Sequence, residues 1–172
     1  MNIVFLDIDG VIQPYDSDMY FFDSKMIKEI SNIYGINYSM YNPSDVISAY
    51  YGWDKQAISR LKYILNETKS KIIISSNWRS TSQPNKMKDL LAIHGLDVYH
   101  FADNIILPKS IPEAKRKALE IKDSLTTYDI SNFAVLDDLK ELANYYPNNS
   151  IITHNLISIS DMNNCIKLLK KR

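Results

Sequence analysis

Phe5-Leu6-Asp7-Ile8-Asp9-Gly10-Val11 is the stretch on which the reading of this chain turns. An apolar run ends there in two carboxylates spaced by one residue, and a glycine follows at once. Side chains alternate faces along a strand with period two, so Asp7 and Asp9 are expected to point the same way. Two converging carboxylates repel each other, and a purely structural role would need caps or basic neighbours to offset that repulsion. In an open α/β sheet the ligand crevice lies beyond the carboxyl ends of the strands, and this pair stands at such an end.

Outward from this stretch, apolar runs of strand length recur at 3–8, 71–76, 97–101, 133–137 and 150–153, alternating with helix-period segments. That alternation predicts an α/β fold with a doubly wound, mainly parallel sheet and flanking helices. Runs 3–8, 71–76 and 133–137 are nearly continuous Ile, Val, Leu and Phe, as strands covered on both faces should be, and are expected to be central. Helices are expected at 24–34 closed by Gly35, at 54–68, and at 85–94 closed by Gly95. Ser110-Ile111-Pro112-Glu113 reads as a capping box opening a helix to about residue 125, and Ser160 as the cap of a final helix to about 170.

The connection from Gly10 to the helix at 54 far exceeds the two to six residues usual for a strand-to-helix link. The whole chain, 1–172, therefore reads as a single domain with a small insert at about 14–52, either a cap or lid over the site or a segment packed onto the body. It holds seven of the twelve tyrosines (15, 20, 34, 38, 41, 50 and 51) together with Phe21 and Phe22.

Composition narrows the function classes. With 172 residues, 45% hydrophobic and 23% charged, the chain can bury a core and carries no apolar run long enough to span a membrane. Twenty basic and twenty acidic residues leave no global attraction for nucleic acid or anionic lipid, so any phosphate binding must be local. One cysteine, Cys165, excludes an internal disulfide and any multi-cysteine metal site, and favours a reduced, cytoplasmic setting. The opening MNIVFLDIDG has no basic region and does not read as a secretory signal. Glycines at 10, 35, 52 and 95 make no Gly-rich phosphate loop, which argues against a kinase. His94, His100 and His154 show no metal-ligand spacing, and Cys165 reads as a buried thiol among apolar helix neighbours.

Two other strand ends reach the edge marked by Asp7 and Asp9. Ile72-Ile73-Ile74 runs into Ser75-Ser76-Asn77, side chains suited to an oxyanion and equally to an ordinary turn. Ala134-Val135-Leu136 runs into Asp137-Asp138. Four carboxylates at one edge require a compensating cation, and hard oxygen ligands select Mg²⁺ or Ca²⁺ over softer metals. A Mg²⁺ that shares a substrate phosphate leaves one Asp free as nucleophile, which points to phosphoryl transfer.

Asp-x-Asp-Gly-Val at the first strand end, Ser at the second and Asp-Asp at a later one, in that order from Asp7 to Asp138, resembles the haloacid dehalogenase (HAD) superfamily. The finer likeness is to the small HAD-like domains of Swiss army knife RNA-repair proteins. It rests on Ser75-Ser76-Asn77-Trp78-Arg79, on Leu119-Glu120-Ile121 ahead of Val135-Leu136-Asp137-Asp138, and on the strand-then-helix ending. The resemblance implies that Asp7 is the nucleophile and forms an aspartyl-phosphate. It implies that Asp9 protonates the leaving oxygen and then activates water, its backbone carbonyl ligating Mg²⁺. Ser75 would hydrogen-bond the transferring phosphoryl group, and Asp137 with Asp138 would complete the metal site. Ser76, Asn77 and Arg79 stand on the substrate side, Arg79 suited to gripping a phosphate and Trp78 to stacking on a base; a packing Trp and a surface Arg are the plainer reading.

The resemblance also asks for a lysine, for which Lys109, Lys115 and Lys117 are candidates. Ala114, Ala118, Ile121 and Leu125 form the apolar stripe of their helix. Lys117 lies about 70° from its centre, Lys115 about 90° and Arg116 nearly opposite, which favours Lys117. The expected function is a Mg²⁺-dependent phosphatase acting on a phosphorylated small molecule, a nucleotide or a nucleic-acid end, with no membrane and no obligate protein partner. The alternative is a non-turnover phospho-acceptor or binding module. Response-regulator receivers also combine acidic clusters with Ser and Lys, but place the adjacent acidic pair first, the reverse of the order here.

Overall fold

Strand β1 (Asn2–Leu6) buries Ile3, Val4, Phe5 and Leu6 in succession, the pattern of a strand covered on both faces. It pairs in parallel with β2 (Lys71–Ile74) on one side and β3 (Asn132–Asp137) on the other, and β4 (Ser150–Ile152) extends the sheet from β3. The order is β2-β1-β3-β4. The structure is a computed structural model, which describes residues 1–16, 23–81, 84–96 and 107–171. β1 and β3 are interior; β2, expected to be central, is outermost among the described residues. The run 97–101, read as a fifth strand, lies outside them.

The chain leaves β1 for β2, then crosses back over β1 to reach β3. Parallel crossovers are right-handed, so this reversal puts the helix before β2 and the helix before β3 on opposite faces of the sheet. The first is α3 (Lys55–Thr68) and the second α6 (Glu113–Thr127). α3 packs on the terminal helix α7 (Ile159–Leu169), while α6 packs on a 3₁₀ turn at Lys140–Asn144. The fold is thus a doubly wound parallel α/β sheet, and its chain order reverses between β1 and β3, which is where such sheets open a crevice.

Three further helices among the described residues are α2 (Pro43–Ile47), α4 (Trp78–Thr81) and α5 (Pro84–Ala92), and local chemistry sets the helix ends. α1 (Ser24–Tyr34) starts at Asp23, whose carboxylate accepts from the Lys25 amide, and stops at Gly35 with φ +66°. α3 starts at Asp54, which accepts from the Ala57 amide at 2.7 Å. Two caps differ from expectation. Ser158, not Ser160, caps α7, because the Asp161 carboxylate accepts from the Ser158 amide while the Ser158 hydroxyl accepts from the Asp161 amide, and of the two serines only Ser158 has that reciprocal partner three residues on. α6 has Pro112 at its cap with no side-chain bond, and Ser110 makes no capping box: the Glu113 carboxylate meets the Asn77 amide instead.

Between residues 23 and 52, Ile27, Ile30, Tyr38, Val46, Ile47 and Ala49 belong to the same hydrophobic core as the sheet. Tyr38 and Tyr41 meet edge to face, with the Tyr41 phenol on the Asp89 carboxylate. Tyr20, Phe21 and Phe22 lie outside the described residues. No helix among the described residues is long and apolar enough to cross a membrane.

Candidate active site

Strand register assembles the site. The ladders pair Leu6 with Ile74 on one side and with Leu136 on the other. The next row therefore sets Ser75, Asp7 and Asp137 side by side, and it stays bonded: the Ser75 amide donates to Leu6 O and the Asp7 amide to Leu136 O, both at 2.9 Å. Parallel neighbours in one row face the same way, so three strand ends deliver their polar side chains to one place.

Lys117 of α6 closes that place from above. It is 1% exposed, and its ammonium donates to Asp7 Oδ2 at 2.6 Å and Asp137 Oδ2 at 2.8 Å, with Glu113 at 3.9 Å. Burial works against its charge, but the carboxylates of Asp7 and Asp137 outweigh burial and raise its pKa. Burial, then the Asp7 charge, push Asp137 up to about 7 despite Lys117. Lys109 and Lys115 are exposed. Arg116, read as the outermost residue of the helix, is buried, as are Lys117, Glu120 and Ser124. The buried face of α6 covers a charged site, so its apolar stripe understates it.

Asp7, Asp137 and Asp138 each place a carboxylate oxygen within 4.8 Å of the others. With all three ionised, as a bound cation would favour, three carboxylates and one ammonium leave two negative charges, and an all-oxygen set with that balance fits a hard divalent cation such as Mg²⁺. The Asp9 carboxylate stands apart from this group. It is exposed and accepts from the Trp78 indole N–H at 3.0 Å. Partial burial, with Asp7 and Asp138 nearby, raises its pKa against that hydrogen bond, which suits a proton donor.

Ser75 is buried with its Oγ free of any hydrogen-bond partner among the described residues, the state of a hydroxyl awaiting an acceptor or donor. Ser76 Oγ accepts from the Trp78 amide at 3.3 Å. The Asn77 amide bonds Glu113, and its carbonyl accepts from Arg116 at 2.6 Å. Arg79 is not a surface residue: it is 6% exposed and ion-paired to Glu120, whose other oxygen takes the Leu107 amide. The structure brings Asp7, Asp137, Asp138, Ser75 and Lys117 together, sets Asp9 beside them through Trp78, and gives the Arg79 guanidinium to Glu120.

Sequence reasoning assigned no site role to Tyr15, Arg116 or Thr153, and gave Glu113 only the role of a capping residue. The Tyr15 phenol donates to Asp138, and that bond carries its pKa up to about 12. Thr153 Oγ1 donates to Gly10 O at 2.6 Å, pinning the turn after β1. Only the polar end of the run 150–153 hinted at the last contact. Gly10 itself has φ +69°, and a Cβ there would lie 2.9 Å from Asp138 Cβ and 2.5 Å from the Tyr15 oxygen. Gly10→Ala is expected to cost about 2–3 kcal/mol from strain and crowding, a loss of roughly 5–10 °C in Tm. A thermal melt within two degrees of wild type, by roughly the same scaling, would contradict this account of the turn.

Aromatic contacts lie beside the site. Trp53 lies 5.8 Å from Trp78 between ring centroids and stacks on His94 at 5.3 Å. His94 Nε2 is 2.6 Å from Ala49 O, and burial lowers its pKa, so it serves packing. Compared with known proteins, residues 3–162 match the family model described as the HAD domain in Swiss Army Knife RNA repair proteins. No curated protein and no solved structure matches the chain.

Proposed function

The chain belongs to the family of HAD domains in Swiss Army Knife RNA repair proteins, and on that premise we propose that it is a Mg²⁺-dependent phosphatase of phosphate monoesters, with nucleotides and nucleic-acid ends as the substrate class. The observation that carries this reading is the row Ser75, Asp7, Asp137 with Lys117 buried against both carboxylates. Asp7 attacks phosphorus as the bond to the leaving oxygen breaks, giving an aspartyl-phosphate, and Asp9 hands its proton to that oxygen. Asp9 then takes a proton from water as the water oxygen attacks phosphorus. The bond to Asp7 breaks, and free phosphate and the Asp7 carboxylate are restored.

Lys117 lowers the repulsion between Asp7 and an incoming dianion, and the partnerless Ser75 hydroxyl donates to a phosphoryl oxygen. Mg²⁺ would be held by the carboxylates of Asp7, Asp137 and Asp138 with the Asp9 carbonyl, and supplies charge neutralisation for the phosphoryl oxygens. Residues 14–52 act as a small cap, a role supported by the Tyr15 contact to Asp138. The single cysteine, buried in α7, accords with a cytoplasmic setting.

The test is phosphate release from an aryl phosphate and from 3′- and 5′-phosphorylated oligonucleotides, in Mg²⁺ and in EDTA. Release in Mg²⁺ that EDTA stops is expected. Release that ignores EDTA, or a stably phosphorylated chain with no turnover, would overturn the reading.

A further inference from the structure

Two arginines are buried equally, at 6% exposure each, and only one has a counter-charge. Arg79 is paired with Glu120. Arg116 donates from Nη2 to the neutral carbonyl of Asn77 at 2.6 Å, and its buried Nε has no hydrogen-bond partner among the described residues. Among the described residues no carboxylate lies within ion-pair distance of its guanidinium. A buried cation without a counter-ion is unfavourable, and a buried N–H without an acceptor adds to that. The pair of defects on one group is relieved by an anion.

The position of Arg116 says which anion. Asn77, which holds it, bonds Glu113; Glu113 stands 3.9 Å from the ammonium of Lys117, which touches Asp7. Trp78, the residue after Asn77, donates to Asp9, the group assigned to protonate the leaving oxygen. Asn77 and Arg116 therefore flank the site on the side from which the leaving group departs. Resting on the phosphatase reading, we infer that Arg116, oriented by Asn77, binds a second phosphate carried by the leaving group. Its planar fork of N–H donors matches two phosphate oxygens, with the free Nε as one of the donors. A zero net charge overall fits attraction confined to one such point. A nucleoside bisphosphate supplies that second phosphate as a monoester, and an oligonucleotide end supplies it as a backbone diester.

The test measures kcat/KM on a nucleoside 5′-monophosphate, a nucleoside 3′,5′-bisphosphate and a 5′-phosphorylated dinucleotide. Wild type is expected to favour the two-phosphate substrates by about 30-fold, mainly through KM, with the bisphosphate and dinucleotide arms separating monoester from diester. Arg116→Gln should bring that ratio to within about 3-fold of unity, a substrate-dependent loss that a merely structural arginine would not give. Arg116→Lys keeps the charge and loses the fork, so the ratio should shrink by only about 5-fold; it decides the matter should Arg116→Gln not fold. Calorimetric binding of the mono- and bisphosphate to Asp7→Asn, with and without Arg116→Gln, should show the same difference without turnover. That difference, should wild type itself release no phosphate, would sustain the subsite and count against the phosphatase alone. A wild-type ratio near unity, or one unchanged by Arg116→Gln, overturns the proposal.

Discussion

Asp7→Asn should abolish phosphate release, by roughly 10⁴-fold or more, while the chain stays folded. The amide has the shape of the carboxylate it replaces, so the backbone bond to Leu136 and the row beside Ser75 and Asp137 persist. What disappears is the nucleophilic oxygen anion. Stability should change little, because the loss of one attraction to Lys117 is set against relief of repulsion with Asp137 and Asp138. Single-turnover phosphate release measures the first effect, and mass spectrometry of the acid-quenched protein should find the aspartyl-phosphate adduct in wild type only. Substantial turnover by an Asp7→Asn sample verified by mass would rule out the nucleophile assignment.

Lys117→Met should be the most destabilising single change at the site. The lysine is buried between two carboxylates, and removing it leaves Asp7, Asp137 and Asp138 facing one another without a cation. Breaking a buried ion pair from one side costs about 3–5 kcal/mol, which for a chain of this size is a fall of roughly 10–15 °C in Tm. Met fills a similar volume, so the loss is electrostatic. Mg²⁺ should raise the Tm of Lys117→Met by more than it raises that of wild type, since the variant site carries one more uncompensated negative charge. Melting curves with and without Mg²⁺ measure both effects. A variant that melts within two or three degrees of wild type, by roughly the same scaling, would mean the ammonium is not what holds the carboxylates together.

The carboxylate edge was legible because its residues end apolar runs. Asp7, Ser75 and Asp137 each follow three or more buried aliphatic or aromatic residues, and a strand must stop where a charge cannot be buried alone. Their alignment in one row was not legible, since register is a pairing between strands and no single strand encodes it. Nor was the buried face of α6. Arg116, Lys117 and Glu120 count as solvent-seeking by hydropathy, but each is buried beside a polar side chain, Asn77, Asp7 and Arg79 respectively. Glu113 was read as a capping residue because its spacing from Ser110 is right; Asn77, distant in sequence, competes for it. The choice between Ser158 and Ser160 turned on Asp161, a shorter acid than the usual partner.

The pairing of β1 with β3 joins Asn2 to Asn132, so the two interior strands are among the most distant parts of the chain. On a ribosome adding about 5–20 residues each second, β1 waits on the order of 10 s for that neighbour to be made. Throughout that interval the Ile3–Leu6 segment has a bare backbone edge and apolar faces, the features that invite association between nascent chains. Asp7 at its end then has neither Lys117 nor Asp137 beside it, and its solvated charge keeps the exposed strand from sticking. The carboxylate that would later attack phosphorus thus serves first as the gatekeeper of an unfinished sheet.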